Sequence, residues 1–220
     1  MVTVQLRQID VPPGQRVLLH DVSWQEFENI LEELGEHRAA RLAYSQGALE
    51  IRMPLPEHEV DKELIGDMVK ILLEELGKDC ECFGSTTFKR ETKKGGVEPE
   101  QCFYIQNHEV MRGKRRVDLI TDPPPDLAIE IDVTSKTQLS AYESIQVPEL
   151  WRYENNSLQI NVLQGGKYVQ SQNSPTFQGL PIIQLITEEV ARSATIGRSP
   201  TLRAFRLRIQ TMIAENRFHL

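Results

Sequence analysis

Cysteine is scarce: Cys80, Cys82 and Cys102 are odd in number and form no Cys-X-X-Cys pair. A disulfide framework and a zinc knuckle are therefore not expected, and the usage fits a reducing, cytoplasmic compartment. No uninterrupted apolar run approaches the roughly 18 residues of a spanning helix, and the first residues lack the pattern of a secretory leader. The expectation is of a protein without a membrane partner. A glycine-rich phosphate loop, a GxSxG elbow, internal repeats and low-complexity linkers are all missing, and no Ser, His and Asp fall in an order that reads as a triad. Positive charge is in deficit, with 25 Lys and Arg against 32 Asp and Glu, a net −7. Proteins that grip duplex DNA tightly without specificity are usually basic, so the balance counts against that class. It does not exclude a nuclease, because clustered acids are what a magnesium site requires.

What is present is ordinary for a globular protein: 40% apolar and 26% charged residues in 220, enough to bury a proper core in one large domain. Ser23 as an N-cap with Glu26 three residues on opens a helix over 23–35 that ends at Gly35. Residues 38–54 alternate and turn at Gln46-Gly47, which predicts a hairpin. Val60, Leu64, Met68, Ile71 and Leu72 recur at helical spacing within 57–77, and Gly77 reads as the C-terminal stop. Strands are expected over 80–91, 101–107 and 126–135, with "KKGGVEPE" as a loop and 108–118 as an exposed excursion. A short helix over 137–146 follows. Then 149–172 reads as three strands joined by a turn and a Gly-Gly turn, and 199–219 as an amphipathic helix. The middle of the chain thus runs helix, strand, strand, strand, helix, strand, for which one sheet packed against helices is the natural architecture.

The stretch "PPPDLAIEID" (123–132) concentrates three acids in one strand. A strand advances about 3.3 Å per residue and alternates faces, so Asp126, Ala128, Glu130 and Asp132 share one face. Asp126 then lies about 13 Å from Glu130, too far for one ion with ligands at about 2.0–2.6 Å, and reads instead as a cap of the turn after the prolines. Glu130 and Asp132, about 6.6 Å apart along the strand, can converge. Glu130 interrupts an apolar run, where a carboxylate is costly unless paired, hydrogen-bonded or metal-bound. Its partner must come from a neighbouring strand, and Glu100 in "EPEQCFYI" opens one. Carboxylates of Glu100 and Glu130 more than about 8 Å apart would rule out a shared ion.

The segments "FGSTTFKRE", "EPEQCFYIQN", "DPPPDLAIEIDVTS" and "VPELWRY", in that order, resemble the Uma family of restriction endonuclease-like proteins, once a domain of unknown function, over about residues 20–210. That family is placed in the PD-(D/E)XK nuclease superfamily. The resemblance implies an α/β (α+β) fold with an αβββαβ core, its mixed sheet flanked by helices. It implies one domain over 1–220: a helix and hairpin extension (1–55), a nuclease-like core (56–155), and C-terminal strands and helix (156–220). It also implies Mg2+- or Mn2+-dependent hydrolysis of phosphodiester bonds in nucleic acid, DNA foremost, with the ion held by Glu100, Glu130 and the carbonyl of Ile131. A homodimer follows only by analogy with restriction enzymes. Three departures stand out. The first acid is Glu100 where the family has Asp. Asp132 stands where a lysine is expected two residues after Glu130. The position of a lysine on the following helix falls on Gln138, with Lys136 two residues earlier as a substitute or a solvated loop lysine. A further acid from the first core helix is Glu63 or Asp67, with Glu63 preferred, or else a solvated flank. His58 reads as a surface residue, and Tyr142 and Trp151 as core anchors. "RGKRR" (112–116) with Lys89, Arg90, Lys93 and Lys94 forms either a phosphate-contacting rim or a solvated face. A weakened relative that binds nucleic acid or a protein without cutting is the alternative function.

Overall fold

The computed structural model describes residues 6–35, 39–84, 86–131 and 136–215, with the side chains of 7, 56–58, 136 and 137 left aside. Two sheets and the helices around them organise the chain. The first sheet contains β1 (Arg16–Leu19), β2 (Arg41–Ser45), β3 (Ala48–Arg52), β5 (Phe88–Arg90) and β6 (Gly95–Val97) in the order β1-β3-β2-β6-β5, all antiparallel. The second contains β4 (Glu81–Cys82), β7 (Gln101–Tyr104), β8 (Leu127–Ile131), β9 (Glu149–Glu154), β10 (Ser157–Gln164) and β11 (Lys167–Ser171). Its order is β11-β10-β9-β8-β7-β4, and only the β8–β9 pair is parallel. The helices are α1 (Trp24–Leu34), α2 (Pro56–Glu75), the short α3 (His108–Met111), α4 (Lys136–Ile145), α5 (Ile182–Ile196) and α6 (Arg198–Ala214).

Local chemistry accounts for most boundaries. Ser23 accepts from the Glu26 backbone while the Glu26 carboxylate accepts from the Ser23 backbone, so α1 starts with the expected capping box. α2 ends where Gly77 takes φ 65°; its N–H reaches the Glu74 carbonyl and that of Lys78 the Leu73 carbonyl, the paired closure of a Schellman motif. The stripe of α2 begins later than its spacing predicts: Val60 is exposed, whereas Leu64, Met68 and Leu72 are buried. α4 links the parallel strands β8 and β9, so β8-α4-β9 is a crossover unit.

Three buried clusters define the layering. One face of the second sheet, through Phe103, Leu127, Ile129, Ile131, Trp151 and Ile160, packs on α2, α5 and α6. Its other face, through Cys102, Tyr104, Ala128 and Leu150, meets Ala141, Tyr142 and Ile145 of α4 and Ala43, Phe88 and Val97 of the first sheet. The far side of the first sheet packs Leu42, Tyr44, Leu49 and Ile51 on Trp24 and Phe27 of α1. α4 therefore lies between the two sheets.

Several segments differ from the sequence expectation: the strand expected over 80–91 divides into β4 of the second sheet and β5 of the first, and β1 and α3 stand where no strand or helix was expected. The first sheet is separate, where one sheet was expected. "KKGGV" is not all loop, because Gly95 and Gly96 begin β6. A Cβ on Gly95 would stand 2.1 Å from Ser144 Cβ of α4, and one on Gly96 would stand 2.8 Å from the Phe27 ring of α1. The glycines are there because helices press on both faces, not because the chain turns. Gly95→Ala is expected to cost about 2–3 kcal/mol through overpacking, read as a lower denaturant midpoint; an unchanged midpoint would show that α4 is not seated against β6. A further difference is α5, to which the sequence reading assigns no element.

Candidate active site

Alternation along β8 sends Leu127, Ile129 and Ile131 into the cluster under α2, and Ala128 and Glu130 toward α4 and the first sheet. β7 runs antiparallel beside it with Gln101 opposite Ile129 and Cys102 opposite Ala128. Continuing that register one step sets Glu100 opposite Glu130. Both acids are buried, Glu130 completely. Two further participants come from the layers Glu130 faces, Tyr142 from α4 and Arg52 from the end of β3, and the third is the backbone of Ile131, next to Glu130 on β8 itself.

Arg52 ties these together. Its Nη2 donates to Glu100 Oε1 at 2.9 Å and to Glu130 Oε2 at 3.1 Å, and its Nη1 donates to the Ile131 carbonyl at 3.2 Å. The two carboxylate oxygens can be no further apart than those contacts laid end to end, about 6 Å, below the separation of about 8 Å that would rule out a shared ion. The second oxygen of Glu100 accepts from the Ile131 N–H at 3.1 Å, and that of Glu130 accepts from the Tyr142 hydroxyl. Burial pushes the Glu130 carboxyl from its ordinary 4.5 up to about 8; Arg52 pulls it down, Glu100 pushes it further up, and Tyr142 and Arg41 pull it down. Burial likewise raises Glu100, against the pull of Arg52, the Ile131 N–H and Lys62. The Tyr142 hydroxyl stays protonated, raised by burial and by the adjacent Glu130. Arg52 pairs in register with Arg16 on one side and Arg41 on the other. Such a row of like charges is unfavourable by itself; the buried acids compensate it.

The donor set suits a hard divalent cation, being two carboxylates and one backbone carbonyl. Yet every carboxylate oxygen already accepts a hydrogen bond, and the point where the three ligands converge is held by the Arg52 guanidinium. Among the described residues no group of three His, Cys, Asp or Glu side chains could hold a metal. Asp132 lies outside the described residues, as does the side chain of Lys136.

The other candidates are distributed as follows. Glu63 is exposed but accepts from Gln101 Nε2 at 3.2 Å, next to Glu100, and lies 3.7 Å from Lys62 Nζ. Asp67 faces away, paired with Lys70 and with Arg198 of α6. Gln138 is buried one turn before Tyr142 on α4, the same helix face. The side chain of His58 is outside the described residues. Lys89 pairs with Glu28 and Lys94 with Glu91. "RGKRR" follows β7 and the short α3, with Lys114 held by Asp122. Trp151 is a core anchor, as its apolar context predicts. Tyr142 is buried too, but it also carries a hydroxyl to Glu130, which the sequence reading missed along with Arg52 and Lys62.

Asp126 sits at the far end of β8. It accepts from the backbone N–H of Ile105 at 2.6 Å and Gln106 at 2.9 Å, and from Asn107 Nδ2 at 3.2 Å. It closes the turn after β7 and has no part in the acid pair. Asp126→Ala is expected to lose about 2–3 kcal/mol of stability in urea melts, the scale of charge-assisted bonds to buried donors, while leaving any response to manganese unchanged.

With this geometry in hand, comparison with known proteins is informative. The family model Uma2, described as "Putative restriction endonuclease", matches residues 24–194. The chain belongs to the Uma2 family. Among solved structures it is similar to "a putative nuclease belonging to DUF820" from Anabaena variabilis ATCC 29413, with a TM-score of 0.50 at 15% identity, over 74% of this chain and 96% of that one. At that identity the likeness concerns the fold alone, and it agrees with the nuclease-like arrangement of mixed sheet and flanking helices. Among curated proteins nothing matches. No described helix is long and apolar enough to cross a membrane.

Proposed function

We propose that this Uma2 protein is a nuclease of the PD-(D/E)XK type that hydrolyses phosphodiester bonds of nucleic acid, DNA foremost, with Mg2+ or Mn2+ held by Glu100, Glu130 and the Ile131 carbonyl. The observation that carries the reading is the meeting of those three oxygens at one buried cationic point. Bound there, the ion would lower the pKa of a water ligand and offset charge on the scissile phosphate. The chain's own residues supply the rest. The Tyr142 hydroxyl and the Ile131 N–H each hold the outer oxygen of one carboxylate, which fixes the inner oxygens toward the common point. Gln138 occupies the helix position of the family's lysine and brings an amide where a charge is expected. Lys62, close enough to lower Glu100, is the described lysine best placed to supply that charge. The domain reading, one unit over 1–220 built as extension, core and C-terminal cap, is retained as part of the proposal, and so is assembly as a homodimer.

Two observations favour the second reading, a weakened relative that binds nucleic acid or a protein partner without cutting: Arg52 satisfies the acids, and position 138 is neutral. Plasmid nicking separates the two. Purified protein with manganese is expected to convert supercoiled plasmid to open circle, and Gln138→Lys to raise that rate about tenfold or more, within the range for a positioned charge or proton donor. No nicking by either, with both folded, supports the binding reading.

A further inference from the structure

The acid pair is saturated with hydrogen bonds but not with charge. Two buried carboxylates face one guanidinium, so Arg52 balances the charge of only one of them and the other is left to a proton or a further cation, because an uncompensated buried charge is costly. A dication would neutralise the pair. It could not do so with Arg52 in place, because the guanidinium uses the same three oxygens: Oε1 of Glu100, Oε2 of Glu130 and the Ile131 carbonyl. Two cations cannot share that point. Arg52 itself is incompletely held, since its Nε is buried without a hydrogen-bond partner among the described residues. Two residues earlier on the same face of β3, Glu50 is 2% exposed and its Oε1 is also buried without a partner among them. An acceptor for a displaced guanidinium thus lies about 6.6 Å away along the strand.

We propose that Arg52 is an exchangeable counter-ion: its guanidinium holds the divalent site in the metal-free protein, and the ion enters by displacing it toward Glu50. This rests on the reading of Glu100, Glu130 and Ile131 as the metal ligands. A planar, weakly hydrated guanidinium suits the task, bridging two carboxylates and a carbonyl at once in a way an ammonium does not. The exchange keeps the acids compensated without metal and sets a concentration threshold, because the apparent affinity for the ion is reduced by the fraction of molecules in which Arg52 has moved.

The test follows the melting temperature of chelator-stripped protein against manganese concentration for wild type, Arg52→Met and Arg52→Lys, with circular dichroism checking the fold. In chelator, Arg52→Met is expected to melt about 10 °C lower than wild type, having lost the partner that Glu100 and Glu130 share. Manganese is expected to restore it, with a midpoint at least about tenfold lower than that of wild type, and Arg52→Lys is expected to fall between. A midpoint in Arg52→Met no lower than in a responding wild type overturns the exchange and leaves the divalent site standing. If Arg52→Met does not fold in chelator, regaining its fold with manganese supports the exchange; if it stays unfolded, Arg52→Lys decides, a midpoint below wild type supporting and an equal one overturning it. No response to manganese in wild type or either variant overturns both the exchange and the metal reading.

Discussion

Replacing Glu130 by alanine is expected to abolish manganese-dependent nicking, a fall of at least about 10²–10³-fold, the scale on which a single charge-stabilising group is felt in a buried site. The expectation follows from where the side chain sits. Glu130 is wholly buried, and each of its oxygens has a partner among the described residues, Tyr142 on one and Arg52 on the other. No other described carboxylate reaches the Arg52 nitrogen except Glu100, and Glu100 alone leaves an ion with one carboxylate and one carbonyl. The alanine variant carries a second effect. It strands the Tyr142 hydroxyl and halves the compensation of a buried arginine, and breaking a buried pair costs about 3–5 kcal/mol. Glu130→Gln keeps the volume and an acceptor for Tyr142 while removing the charge, so it separates the two effects. Both variants inactive and Glu130→Gln folded is the predicted pattern. Glu130→Gln cutting at the wild-type rate would remove Glu130 from the chemistry.

The second large effect is on stability against pH, measured in chelator. Burial holds the Glu130 carboxyl up at about 8, against 4.5 ordinarily, so between those values the folded chain keeps a proton that the unfolded chain has released. Stability from this group is fully present below about pH 4.5 and is lost as the pH climbs through about 8. Each tenfold in proton affinity is about 1.4 kcal/mol, so the loss amounts to several kcal/mol. Many other groups titrate across the same range. The informative quantity is therefore the unfolding free energy of wild type minus that of Glu130→Gln, in which the others cancel. That difference is expected to fall steadily from pH 5 to pH 8. A flat difference would mean that Arg52 compensates Glu130 fully and the carboxylate is charged throughout.

Much of the frame was legible from short-range rules, because local chemistry decides those features. Ser23 with Glu26, Gly77 after α2, Gln46-Gly47 between β2 and β3, and the alternation of 127–131 are all read within a few residues. The acids followed for the same reason: strand rise excluded Asp126, and an acid in an apolar run pointed to Glu130. What the sequence hid depends on layers meeting. Gly95 and Gly96 look like a turn until Ser144 and Phe27 are placed against them. α5 carries Ile182, Ile183, Ile186, Thr187 and Val190, β-branched residues of modest helix propensity, and no side-chain cap marks its start. Arg52 ends an ordinary alternating strand, 48 residues from Glu100 and 78 from Glu130, and nothing local signals its role. The same holds for the hydroxyl of Tyr142, whose ring alone explains its burial. A lone Glu50-X-Arg52 pair of opposite charges on one strand face was the available hint, and only packing between the two sheets gives it meaning.

The most direct measurement is an anomalous difference map from a crystal of the wild-type protein soaked in manganese. The account predicts a peak within about 2.0–2.6 Å of Glu100, Glu130 and the Ile131 carbonyl, with the Arg52 guanidinium withdrawn from that point. No peak at millimolar manganese, with Arg52 still bridging the two carboxylates, would contradict it.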